Sequence, residues 1–304
     1  MPPPRGSWNP LEGPGDYDVT SFVHNDTYPE IDSTKANLKG KAVFVVGASK
    51  GIGKEVALSF ARAGVSHLAV AARSKVSSIK DEIQSVAKEA GKQPPQFLPI
   101  DLDITSKSSV DHAAEEVEQV FGRLDILVNV AGTLGQAAKI VDSDPDQWWN
   151  TWNVNLRGPY LVCRAFIPLL LKGGLKTIVN VSSVGAHIVR PTLNAYQPSK
   201  LAVLRFSEFA AKEYAEDGLI CFSVHPGNIV TDILLTSFGG IPKGMEHIFV
   251  DTPRLPADSI VFLTGERRDW LSGRYINCTW DMPELIAKKD EIVEGDKLKV
   301  RLIF

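Results

Sequence analysis

Apolar residues gather in short unbroken runs, separated by longer stretches where they recur every three or four positions. Ala42-Val43-Phe44-Val45-Val46 is the first such run, and a run without alternation marks a strand covered on both faces. Runs of the same kind at 68–72, 96–100, 126–130, 177–181, 220–225 and 275–278 predict further strands. Helical periodicity fills the gaps, notably at 53–64, 78–90, 109–121, 147–171 and 195–216. Helices between successive strands imply parallel pairing. The expected fold is therefore α/β, a doubly wound parallel sheet of the Rossmann type, in a single domain over 37–304.

Two extensions stand outside this alternation. Residues 1–36 are rich in Pro, Gly and Asp and aperiodic, so they read as an irregular N-terminal arm. The arm is either a poorly ordered terminus or a packed strap anchored by Trp8, Leu11, Tyr17, Phe22, Val23 and Tyr28. The tail over 280–304 holds a charged helix-like stretch at 283–294 and an apolar end, suited to closing a pocket or joining subunits.

Composition narrows the classes of function. The chain has 304 residues, 44% of them hydrophobic, and a net charge of −3, enough for one well-buried domain. That charge balance argues against a nucleic-acid or polybasic membrane partner. No run reaches the ~18 apolar residues of a membrane span. Met1-Pro2-Pro3-Pro4-Arg5 opens without the apolar core of a secretory signal. Cys163, Cys221 and Cys278 lie far apart in apolar contexts and read as reduced, buried thiols, so a cytoplasmic protein is expected.

Chemistry concentrates at strand ends. Directly after the first strand comes Gly47-Ala48-Ser49-Lys50-Gly51-Ile52-Gly53, then a helix. Glycines there let the backbone approach a pyrophosphate, and the helix N-terminus offers free N–H groups. The second strand ends Ala71-Ala72-Arg73-Ser74, without the carboxylate that would accept from a ribose 2′-hydroxyl. Lys50, Arg73 and Ser74 instead suit a 2′-phosphate, which points to NADP(H); the alternative is a pair of ordinary surface cations. Further on, Tyr196 and Lys200 stand four apart on one helix face. A nearby ammonium favours the phenolate, so Lys200 is expected to lower the Tyr196 pKa toward the range of general acid/base work.

The glycine spacing together with Tyr196-Gln197-Pro198-Ser199-Lys200 resembles the classical branch of the short-chain dehydrogenase/reductase family, over roughly 38–278. Val46 stands where that family more often has Thr. The resemblance implies a catalytic tetrad of Asn155, Ser183, Tyr196 and Lys200, with Ser183 rather than Ser182 at the family interval. Ser183 would bind the substrate oxygen, Tyr196 would exchange its proton, Lys200 would hold the nicotinamide ribose, and Asn155 would hold a water linking Lys200 to solvent. The resemblance also assigns cofactor contacts to Gly47, Ser49, Gly51, Ile52 and Gly53 and to Asp103 beside the adenine, with Asp101 as a competitor. It adds Asn129, Ala131 and Gly132 after the fourth strand and Pro226, Gly227, Ile229 and Thr231 after the sixth; Asn129 is also suited to bracing the sheet. Residues 232–250 would form the substrate flap, whose apolar side chains suggest a lipophilic small molecule or, equally, simple core. The implied activity is NADP(H)-dependent interconversion of a carbonyl and an alcohol, without a metal, in a homodimer or homotetramer. Two alternatives are a non-redox step on the same fold, such as dehydration or cyclisation, and a non-catalytic NADP-binding protein. An incomplete tetrad would favour either, and this one is complete.

Overall fold

A computed structural model describes residues 16–74, 76–241 and 243–302. The seven expected strands are present: β1 Ala42–Val46, β2 His67–Ala72, β3 Gln96–Asp101, β4 Ile126–Asn129, β5 Thr177–Val181, β6 Ile220–His225 and β7 Tyr275–Asn277. They form one sheet in the order β3-β2-β1-β4-β5-β6-β7, and every pairing is parallel. The order reverses between β1 and β4, and in such sheets ligands bind at that crevice, beyond the C-terminal strand ends.

The unbroken apolar runs follow from this layering. In β1, Val43 and Val45 face one core while Ala42, Phe44 and Val46 face the other. The first core is covered by α1 (Gly51–Arg62), α2 (Lys80–Glu89) and, from late in the chain, α8 (Arg254–Thr264). The second is covered by α3 (Lys107–Phe121), α5 (Gly158–Leu171) and α6 (Tyr196–Glu213). Short helices complete the set: α4 (Pro145–Trp152), α7 (Asp232–Phe238), α9 (Met282–Ala287) and α10 (Lys289–Glu294).

Three sequence expectations change. Helix α1 starts at Gly51, two residues early, so its N-terminal N–H groups lie inside the glycine-rich turn. The helix expected over 147–171 is two helices joined by a π turn, Asn153–Arg157. Together they are long enough to cross a bilayer, yet Leu161, Val162, Phe166 and Leu170 are buried in the second core. Of the expected arm anchors, Tyr28 is buried and Val23 packs on the core, but Phe22 is 70% exposed. Trp8 and Leu11 lie outside the described residues.

The arm is a strap. Val23 bridges Trp280 antiparallel, the His24 amide donates to Thr279 O at 2.7 Å, and the Trp280 indole donates to Asp16 O at 3.0 Å. Trp148 stacks on Trp149 and meets Trp152 at a tilt, with the Trp148 indole donating to Asn194 Oδ1 at 3.0 Å, while Trp149 remains exposed.

Candidate active site

A cleft of about 1100 Å³ runs along the C-terminal strand ends. At one end is the glycine-rich turn. Gly47 has φ +91°, and a Cβ there would meet Ala131 N at 2.6 Å; a Cβ on Gly53 would meet Gly47 O at 2.1 Å. No side chain caps α1, which leaves its first-turn N–H groups for an anion. Gly47, Ser49, Lys50, Gly51, Ile52 and Gly53 line this end, with Arg73 and Ser74 on its rim. These residues fit a dinucleotide phosphate.

Asp103 reaches the cleft and its competitor Asp101 does not. The Thr105 hydroxyl and amide donate to Asp103 Oδ1 at 2.7 and 2.9 Å and hold that carboxyl below its ordinary range, with Arg73 adding to the effect. Ala131, Gly132, Pro226, Gly227, Ile229 and Thr231 also lie on the wall. Asn129 does not. Its buried amide donates to Asn180 Oδ1 at 2.8 Å, joining β4 to β5, because a side chain on that strand face points between sheet and helix. The cofactor contact assigned to Asn129 is therefore corrected to a sheet brace.

At the other end the catalytic candidates meet. Ser183 lies two residues beyond β5 and accepts from the Gly185 amide at 3.0 Å, so its hydroxyl is fixed at the mouth of a tight turn. The Ser183 hydroxyl lies close enough to the Tyr196 phenol to favour its ionised form. Ser182 points away and donates to Lys200 O at 2.8 Å, a structural role. Lys200 is buried, donates to Val181 O at 2.9 Å, and lies 5.8 Å from the centre of the Tyr196 ring.

The electrostatics differ from expectation. Burial raises the Tyr196 pKa, and the opposing influence is Ser183, not Lys200. Burial also lowers Lys200 to about 8, so its own charge is weakened. The ammonium is turned to a carbonyl at the end of β5, and spacing along α6 cannot reveal that.

Asn155 sits in the π turn, off the cleft wall, and is fully engaged. Its Oδ1 accepts from the Thr133 amide at 2.8 Å, and its amide donates to Thr133 O at 2.8 Å and Ser199 Oγ at 3.0 Å. The side chain thus ties the loop after β4 to the helix of Tyr196 and Lys200. The shift to π geometry presents it inward, as such bulges often do near functional sites.

Two residues emerge here that sequence reasoning passed over. Ser199 links Asn155 to α6; its only signal was a polar side chain inside the Tyr-Lys interval. Asp251 accepts from the Asn228 amide at 2.6 Å and packs beneath Gly227, whose φ of +102° leaves no room for a Cβ. Burial pushes the Asp251 carboxyl up to about 7. The signal was one acid closing the apolar stretch Ile248-Phe249-Val250.

A parallel sheet in this order, with a glycine-rich turn at one end of a cleft and a Ser–Tyr–Lys group at the other, defines a dinucleotide-type α/β enzyme fold. A family model described as short chain dehydrogenase matches residues 41–238. The chain is 57% identical to the short chain dehydrogenase pigC of Monascus ruber, over 100% of both chains. It is 55% identical to the short chain dehydrogenase tazN of Aspergillus terreus, over 96% of this chain and 63% of that longer one. Among solved structures, a putative short chain dehydrogenase of Escherichia coli complexed with NADPH superposes with a TM-score of 0.68 at 26% identity, over 82% of this chain and 99% of that one. The chain belongs to the short-chain dehydrogenase family of oxidoreductases.

Proposed function

We propose that this protein interconverts a carbonyl and an alcohol with NADP(H), using Tyr196 as the acid/base. The observation that carries the reading is the meeting of Ser183, Tyr196 and Lys200 on the wall of the same cleft that holds the glycine-rich turn and Arg73. When bound, the nicotinamide dinucleotide supplies or accepts the hydride. The chain's residues do the rest. Ser183 and Tyr196 hydrogen-bond the substrate oxygen, and Tyr196 passes it a proton during reduction. Lys200 holds the cofactor's ribose edge. Arg73, Ser74 and Lys50 receive the 2′-phosphate, since β2 ends without a competing carboxylate. The solved relative complexed with NADPH supports the same preference.

The proton inventory favours one direction. A phenol raised above its ordinary pKa keeps its proton at neutral pH, which suits donation to a forming alkoxide. Reduction is therefore expected to be flat across neutral pH. Oxidation, which needs the phenolate, should climb by about tenfold per pH unit on the alkaline side.

The test is NADPH oxidation with a ketone panel, alongside NADPH affinity by fluorescence. Tyr196→Phe should lower kcat by roughly 10²–10⁴-fold and leave NADPH affinity within about twofold. Arg73→Asp should weaken NADPH and improve NADH. A Tyr196→Phe variant with wild-type turnover sinks the acid/base assignment, and equal NADPH affinity in Arg73→Asp sinks the phosphate clamp.

A further inference from the structure

Behind Ser183, three buried polar groups have no hydrogen-bond partner among the described residues: His225 Nδ1, His187 Nε2 and the Tyr275 hydroxyl. They come from three places in the chain. His225 ends β6, and Tyr275 opens β7 beside it; in that pairing Ser223 and His225 stand opposite Tyr275 and Asn277, so all four share one sheet face. His187 closes the turn that Ser183 caps, and its ring packs edge-on to Tyr275 at 4.6 Å between centroids. Of the three, His225 reaches the cleft wall, while being only 4% exposed.

Such a cluster is costly. Each unsatisfied buried donor or acceptor gives up the hydrogen bonds it would make in water, a large share of the stability of a folded domain. Native proteins keep such groups where water or a ligand completes them. Burial, with the His187 imidazole adding to the cost of charging, keeps His225 neutral; burial alone lowers the His187 pKa. A neutral imidazole offers one donor and one acceptor and fits an uncharged oxygen function. The nearby wall carries the apolar Ile188, Leu193, Leu234, Met245 and Phe249, interrupted by Arg190 and Gln197.

We infer that His225, backed by His187 and Tyr275, forms a substrate subsite that hydrogen-bonds a second oxygen function carried on an apolar skeleton, apart from the carbonyl held by Ser183 and Tyr196. His225 is then a specificity-determining residue. The inference rests on the redox reading for the first oxygen, and it adds a second, uncharged hydroxyl or carbonyl as the feature this chain selects.

The test uses matched probes: benzylacetone against its para-hydroxy derivative, and butyrophenone against benzoylacetone. Affinity for the NADPH complex is read from quenching of bound NADPH fluorescence, which does not require turnover. Wild type should bind the more oxygenated member of at least one pair about tenfold or more tightly, the worth of one buried hydrogen bond. His225→Leu should bring that ratio to within about twofold at unchanged NADPH affinity, and His225→Gln, which keeps a donor and an acceptor, should retain part of it. His187→Leu should lower the ratio less and serves if His225→Leu fails to fold. A wild-type ratio near one for both pairs overturns the subsite, as does a ratio that survives His225→Leu. Preferential binding without any turnover would count against the redox reading and leave the subsite standing.

Discussion

Lys200 keeps a charge where charge is disfavoured. Burial lowers its pKa from 10.5 to about 8, and among the described residues it donates to Val181 O. The linkage has a definite sign. Below pH 8 both folded and unfolded chains hold the proton, and the native state bears the full cost, about 3 kcal/mol for that shift. Between about pH 8 and 10.5 the unfolded chain holds a proton the native one has released, so this cost falls as pH rises. Lys200→Met should therefore stabilise the protein at pH 7, by about 1–2 kcal/mol after the lost bond to Val181, and the gain should shrink toward pH 10. Urea unfolding at the two pH values measures it. A variant less stable than wild type at pH 7 would mean that the bond outweighs the desolvation. At this scale the Tyr196–Lys200 pair was legible, because positions four apart share a helix face. The direction of the ammonium was not, because it depends on where β5 ends.

Elements meet over the cleft in a way that single residues do not foretell. Lys50, in the turn before α1, forms an ion pair at 2.6 Å with Asp232, the first residue of α7. The pair fastens the glycine-rich turn to α7 on the cleft wall. Both side chains are more than half exposed, 66% and 57%, so the pair is worth about 1 kcal/mol at most. A 2′-phosphate would compete with Asp232 for the same ammonium. Asp232→Asn should then tighten NADPH by about two- to fivefold and leave NADH unchanged, the difference fading in high salt. Equal gains for both cofactors would remove Lys50 from the phosphate site. The strands were legible because each central strand is covered on both faces, and the turn was legible because strand, glycines and helix follow in order. The break at Asn153–Arg157 was not, since apolar periodicity continues through it and its cause is a tertiary clasp from Asn155 to Thr133.

Across the whole molecule, the ends of the chain complete the core on the β6–β7 side of the sheet. Tyr28 and Ile31 from the arm join Trp280, Met282, Leu285 and Ile292 from the tail in one apolar cluster with α1 and α8. Polar contacts hold the arm in place: the buried Met282 amide of the tail donates to the Tyr28 hydroxyl at 2.8 Å, and the Thr27 hydroxyl donates to Asp258 Oδ2 of α8 at 2.6 Å. The aperiodic arm was legible as an extension but not as a strap, because its partners lie some 250 residues away and no local pattern announces them. Burial decides which of its contacts matter. Tyr28→Phe keeps the ring but leaves the Met282 amide without its acceptor, and should cost about 1–3 kcal/mol, a fall of several degrees in Tm. Ser21→Ala removes the exposed hydroxyl bond to Glu284 Oε1 at 3.1 Å and keeps the amide bond to Oε2, and should change Tm by less than about a degree. Removing residues 1–30 exposes Trp280 and Met282 together and should yield aggregated or much less stable protein. If Tyr28→Phe and Ser21→Ala melt alike and the truncated chain keeps its Tm, the arm lies on the surface without holding the fold, and Tyr28 is dispensable to the core it fills.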